Sequence, residues 1–178
     1  MSNPMPQGDE SAIYSPESMQ RLMAHLWNIR HIPQAGSVLL YGALGGFAGL
    51  RPPEAVELDW KAIDFTERRL RVVSGAAKTE RLIPIKENLS DFLLPYKNRK
   101  GLVIIHKKVA TLYRDYCKEA GVQHIPNGLR RSYAMYRLAE STLEEVQIEL
   151  GMNADMLKEK FPKPPALEAA QKYWAIIP

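Results

Sequence analysis

Met19, Leu22, Met23 and Leu26 recur at i, i+3, i+4 and i+7, the spacing of one helical face. Ser15 and Pro16 ahead of them supply an N-cap and a first helical residue. From Ser37 the run VLLYGALGGFAGL is apolar on every side, which predicts a buried central helix, its glycines permitting close packing, that ends near Gly49. Past Arg51, Pro52-Pro53 can start only a short helical turn. Leu58 to Phe65, Leu70 to Val73 and Arg81 to Ile85 are short, rich in branched and aromatic residues and separated by turn-like stretches; three antiparallel strands are expected. Everything downstream reads as helix. Val109, Leu112, Tyr113, Tyr116, Cys117 and Ala120 make one apolar stripe closed by Gly121, and a segment near Leu129 to Leu138 follows. Ser141 with Glu144 reads as a capping box for a helix that Gly151 closes. Asn153 caps a short helix stopped by Pro162, and Pro165 begins a last one through Trp174. Residues 1–14, with Pro4, Pro6 and Gly8, carry no periodicity and read as a flexible arm or linker. The expected class is α+β, mainly α: a helical bundle with a small three-stranded sheet, forming one domain over residues 15–178.

Composition narrows the class. The chain has 178 residues, 46% hydrophobic and 25% charged, a globular balance that excludes disorder and coiled coil for the whole. The lone Cys117 excludes an intramolecular disulfide and a cysteine-based zinc site, and fits a reducing, cytoplasmic compartment. Val38 to Leu50 is too short an apolar run to span a bilayer, and no basic segment near the N-terminus marks a signal peptide. His25, His31, His106 and His124 lack metal-ligand spacing. GALGGFAGL matches neither glycine-rich nucleotide loop, and no G-x-S-x-G elbow is present. Neither a metal nor a cofactor is expected. Charge is uneven: residues 97–137 hold ten Lys/Arg against Asp115 and Glu119, a balance of +8 in a chain of net charge +4. That segment favours a polyanionic partner, with a solvated charged surface as the alternative.

Four segments occur in a fixed order: GLRPPEAVELDWKAIDF, a strand hairpin carrying GAAKTERLIPI, PNGLRRSYAMYRLA and ELGMNADMLKEKF. Together they resemble the catalytic domain of the tyrosine recombinases, the phage-integrase family, from about residue 15 onward. The first segment is the most specific, agreeing with the family pattern at Gly49, Leu50, Arg51, Glu54, Leu58, Trp60, Ile63 and Asp64. The resemblance implies a tyrosine that attacks a DNA phosphodiester, two arginines and a hairpin lysine that assist, and two further positions usually His and His or Trp. By position Arg51 and Arg130 look like the arginines and Lys78 like the lysine. Asn127 stands where the family has His, Met152 at the His or Trp position, and Phe161 at the nucleophile.

A phenyl ring has no oxygen to deprotonate, so the covalent step has no attacking atom. Asn127 cannot act as a general base near neutral pH, and Met152 is only a weak acceptor. Arg51 and Arg130 can still grip phosphate oxygens, Lys78 can add a point charge and Arg131 a further contact. The expectation is therefore a degenerate recombinase domain that binds double-stranded DNA without cutting it, on its own or beside other recombinase subunits. A protein-interaction or structural module on the same fold is the alternative. A third reading is an active recombinase that uses Tyr173 or a partner subunit. Tyr173 beside Trp174 also reads as an apolar anchor of the last helix, and Tyr133 and Tyr136 as packing residues close to Arg130.

Overall fold

The computed structural model describes residues 13–75 and 77–178. At its centre is α2 (Pro33–Ala48), in which every residue from Ala35 to Ala48 is buried. It starts four residues before Ser37 because Pro33 occupies the first helical position, where its missing N–H costs nothing. Around it pack α1 (Pro16–Asn28), α4 (Glu87–Leu93), α5 (Val109–Glu119) and α6 (Gly128–Leu138). Small residues set the spacing. A Cβ on Gly45 would stand 2.9 Å from Leu129 Cδ1, so α2 and α6 meet at a distance that no larger residue allows.

The helix caps follow local chemistry. Ser15 Oγ accepts from the Ser18 N–H at 3.1 Å, and Asn153 Oδ1 accepts from Met156 N–H at 2.8 Å at the start of α8 (Ala154–Lys160). The capping box of α7 (Leu143–Leu150) lies one residue later than expected. Thr142 Oγ1 accepts from the Glu145 N–H, and the Glu145 carboxylate accepts from the Thr142 N–H, both at 3.2 Å. Thr142 has the extended backbone that an N-cap needs.

The sheet runs β1 (Ile63–Asp64), β2 (Arg69–Ser74), β3 (Thr79–Pro84) in antiparallel order. The expected first strand, Leu58 to Phe65, is realised only at its end. Asp59 bridges to Leu102, and its side chain accepts from the Lys61 N–H at 2.9 Å, turning Trp60–Ala62 into a 3-10 turn. Asp64 then accepts from the Thr66 and Glu67 N–H groups and reverses the chain. Pairing of Leu70 with Ile83 and Val72 with Arg81 puts these four side chains on the inner face. The sequence reading also passed over α4. Its Leu89, Phe92 and Leu93 are buried, and the i, i+3, i+4 signal is short because the helix has only seven residues.

The last helix, α9 (Leu167–Trp174), docks on α1 and α6. Tyr173 is its anchor: the ring stacks on Tyr136 at 4.0 Å between centroids, and its hydroxyl donates to the Gly46 carbonyl at 2.8 Å. The expected N-terminal arm lies outside the described residues through position 12. Tyr14 is core, with its carbonyl accepting from Tyr136 and its hydroxyl from the Ile125 N–H.

Gly49 ends α2 in the left-handed region at φ 65°, and a Cβ there would come within 2.4 Å of Tyr133 Cδ1. The substitution Gly49→Ala combines backbone strain with overpacking and should cost about 3 kcal/mol of stability. Urea unfolding checks this; a loss under about 1 kcal/mol would mean that the helix end relaxes freely.

Candidate functional site

Arg51 follows the left-handed turn at Gly49 and caps α3 (Pro52–Glu57). The Arg51 backbone N–H donates to Glu54 Oε2 at 2.8 Å and its guanidinium to Oε1 at 3.1 Å, while the side chain remains 44% exposed. Glu54 is itself buried beneath Arg81 of β3. Arg81 donates to Glu54 Oε1 at 2.9 Å and Oε2 at 2.7 Å, to Ser74 Oγ at 3.0 Å, and through Nε to the Glu149 carbonyl at 2.9 Å. Sequence reasoning did not pick out Arg81. The available signal was parity, since Arg81 falls on the same strand face as Ile83 and Ile85.

Arg130, in the first turn of α6, donates to the Gly49 carbonyl and, at 2.7 Å, to the Leu150 carbonyl. Those oxygens close the C-terminal ends of α2 and α7, where the helix dipole favours a cation. Burial and the neighbouring Arg51 lower the Arg130 pKa to about 10, against the opposing pull of Glu54. It stays charged at neutral pH. Asn127 precedes α6 at φ 56°, a left-handed position that asparagine tolerates better than most residues. No side chain caps this helix, so its N-terminal end presents backbone N–H groups without a side-chain acceptor.

Arg51, Asn127, Arg130, Arg131, Met152 and Phe161 all line one open groove of about 1150 Å³. Arg114 and Lys160 add charge to its wall, and Glu159 is its one acidic lining residue. Met152 and Phe161 are nearly buried and form an apolar wall, with Phe161 at the C-cap of α8. Lys78 is elsewhere. It is exposed on the β2–β3 turn at φ 48°, its N–H bonded to the Gly75 carbonyl, and it is not among the residues lining the groove. Two of the three expected cations therefore share the cavity.

Tyr133, Tyr136 and Tyr173 do not line it. Tyr173 is fully buried, and burial first, then the proximity of Tyr136, raises its pKa well above the ordinary phenol value. Tyr133 donates to Glu149 Oε2 at 2.7 Å, and Tyr136 donates to the Tyr14 carbonyl at 3.0 Å. Among the described residues no group of His, Cys, Asp and Glu is arranged to hold a metal ion, and no helix is long and apolar enough to cross a membrane.

Residues 15–153 match the Phage integrase family, and the chain belongs to that family. Tyrosine recombinase XerA of Thermococcus kodakarensis is 26% identical over 151 residues, covering 76% of this chain and 52% of that protein. The chain thus spans about half the length of this curated relative. Among solved structures, a XerA recombinase superposes with a TM-score of 0.70 at 16% identity, over 89% of this chain and 61% of that one. The integrase of mycobacterium phage Brujita gives 0.65 at 18% identity, over 97% and 60%. XerH site-specific recombinase bound to its palindromic difH substrate, a post-cleavage complex, gives 0.62 at 17%, over 84% and 48%. The architecture is the tyrosine-recombinase fold, and the family ties the chain to DNA recombination.

Glu54 yields a pH prediction. Burial alone would raise its carboxyl, but the bonds from Arg81 and the Arg51 N–H reverse this and hold it at about 2. A depressed carboxylate stabilises the fold fully above its unfolded pKa near 4.5, and the contribution disappears as pH falls toward 2. The window is worth about 3 kcal/mol. Glu54→Gln should lose about that much at pH 7 and flatten the stability profile between pH 4.5 and 2. Urea titrations across that range check both, and an unchanged acid slope in the variant would refute the assignment.

Proposed function

We propose that this chain is a recombinase-family domain that holds duplex DNA by its phosphates and does not cleave it. Arg51 and Arg130 grip non-bridging phosphate oxygens, Arg131 adds a contact, and the uncapped end of α6 offers N–H groups to the same anion. The observation that carries this reading is the shared groove, in which these cations face a wall made by Phe161 and Met152. Phe161 takes the nucleophile position and provides no attacking oxygen. Asn127 and Met152 likewise take two assisting positions without supplying an acid or a base.

Electrostatics supports an anionic ligand. Arg51, Arg81 and Arg130 all act on one another or on Glu54, the single acid among them. Positive charge is left over where the groove opens. XerH bound to difH and the Tn1549 transposon integrase in complex with circular intermediate DNA share this fold, which supports DNA as the polyanion here. Lys78 stands outside this cradle. Tyr173, buried with its hydroxyl engaged by Gly46, is the anchor of α9 in this reading rather than a nucleophile.

Binding to a labelled duplex should fall steeply between 50 and 200 mM salt. The double variant Arg51→Ala, Arg131→Ala should weaken it and reduce the log–log salt slope by about 2. Anisotropy titrations measure this, and a slope that does not respond to the double substitution would point instead to a protein partner. A nicked suicide duplex should give no covalent adduct with the wild-type chain on a denaturing gel. An adduct, and especially one lost in Tyr173→Phe, would overturn the cleavage-incompetent reading.

A further inference from the structure

Pro126 and Asn127 lie inside a tight turn closed by the Gly128 N–H, which donates to the Ile125 carbonyl at 2.9 Å. Ile125 to Gly128 all line the groove, and the turn leads straight into α6 with its Arg130 and Arg131. Both ends of this turn are held by Tyr14, a buried residue that does not line the groove. The Ile125 N–H donates to the Tyr14 hydroxyl oxygen at 3.0 Å across 111 positions of sequence. The Tyr14 N–H donates to Ser132 Oγ at 2.9 Å, and that hydroxyl donates to the Gly128 carbonyl at 2.8 Å. The phenol thus holds the entry of the turn, and the Tyr14 backbone, through Ser132, holds its exit. Tyr136 donates to the Tyr14 carbonyl at 3.0 Å and ties the clamp to the same helix. The ring sits hard against the turn, since a Cβ on Gly128 would stand 2.8 Å from Tyr14 Cε2. Burial pushes the Tyr14 phenol up to about 12, so the accepting oxygen is that of a neutral hydroxyl.

We propose that Tyr14 is a positioning residue for the phosphate cradle: through the Ile125–Gly128 turn it sets where α6 begins, and with it where the N–H groups of that helix end meet the anion. The role rests on the reading of Arg51 and Arg130 as phosphate ligands. A site keeps its ligand geometry only when the residues supporting it are themselves locked. The Ile125 N–H is part-buried, and without the phenol oxygen it must find water instead, which draws the turn out of its clamped position. Arg130 keeps its bonds to the Gly49 and Leu150 carbonyls meanwhile. Its guanidinium then stays in place while the backbone donors of the same helix end move, so the anion can no longer satisfy both together. The cradle is complete only when the segment ahead of α1 is seated.

Three variants test this. Tyr14→Phe removes one oxygen and keeps the ring against Gly128, and Ser132→Ala releases the other end of the turn. Tyr173→Phe removes a hydroxyl that is equally buried but bonded to the Gly46 carbonyl, and so controls for a general loss of packing. Under conditions where circular dichroism shows every variant folded, anisotropy should give Tyr14→Phe and Ser132→Ala a duplex Kd about fivefold weaker, the factor that one net hydrogen bond is worth. Tyr173→Phe should keep the wild-type Kd. Hydrogen exchange at the Gly128 amide should quicken by about the same factor in the first two variants and not in the third. If Tyr14→Phe does not fold, Ser132→Ala carries the same comparison. An unchanged Kd in the clamp variants overturns the positioning role, even where exchange quickens, and so does an equal loss in Tyr173→Phe. A weaker Kd without faster exchange overturns the route through the turn. A wild-type chain that binds no duplex removes the phosphate reading itself, and this role falls with it even if the Gly128 amide responds.

Discussion

The groove depends on one buried ion pair. Arg81 and Glu54 are each about 6% exposed at the side chain and meet through two nitrogens and two oxygens. A pair removed from water repays its desolvation only if the remaining donors and acceptors are used. Here four of the five Arg81 N–H donors are used, two on Glu54, one on Ser74 and one on the Glu149 carbonyl, and Glu54 also accepts from the Arg51 N–H and guanidinium. The pair thereby fastens β3 to α3 and to the end of α7. It also fixes where Arg51 emerges, since the same carboxylate holds Arg51 by backbone and side chain together.

Arg130 completes the frame from the other side by closing the ends of α2 and α7. Its two roles are compatible because a guanidinium has five N–H donors in a planar fork. Two serve the helix ends, and others can face the groove. Glu149 links the frame to a second network: its carbonyl accepts from Arg81, while its carboxylate accepts from Tyr133 and, at 2.6 and 3.0 Å, from Arg137. Arg137 also bonds Glu140, which pairs with Lys86 ahead of α4. Charges on this side are matched one against another. On the groove side Arg51, Arg114, Arg130, Arg131 and Lys160 face Glu159 alone, and that imbalance is the physical argument for the proposed anionic ligand.

The sequence made most of the helices legible because their signals are local. Ser15, Asn153 and Gly151 act at the positions read for them, and the uniformly apolar run is the central helix. The misplaced features depended on less local information. Asp59 and Asp64 end a strand by side-chain bonds to the backbone, which a hydrophobic pattern does not register. Thr142 and Ser141 are neighbouring hydroxyl residues, each three residues before a glutamate, so the pattern alone does not choose the cap. At the site, Arg51 and Arg130 could be found because the family motif marks them. Arg81 could not be separated from an ordinary strand arginine without its partner, 27 residues away in Glu54.

The substitutions inferred at Asn127, Met152 and Phe161 from the family resemblance are coherent in physical terms. A phenol at position 161 would need solvent or a hydrogen-bond partner, and Phe161 is 8% exposed beside Leu157 and Pro162. Met152, at 9%, fills space next to it with an adaptable side chain. The two residues give the groove an apolar wall. Asn127, by contrast, sits where the backbone is left-handed and where few side chains are comfortable. In the proposed reading the groove keeps the arginines that would hold an anion, which the buried ion pair and the helix ends position, and lacks the groups that would act on it.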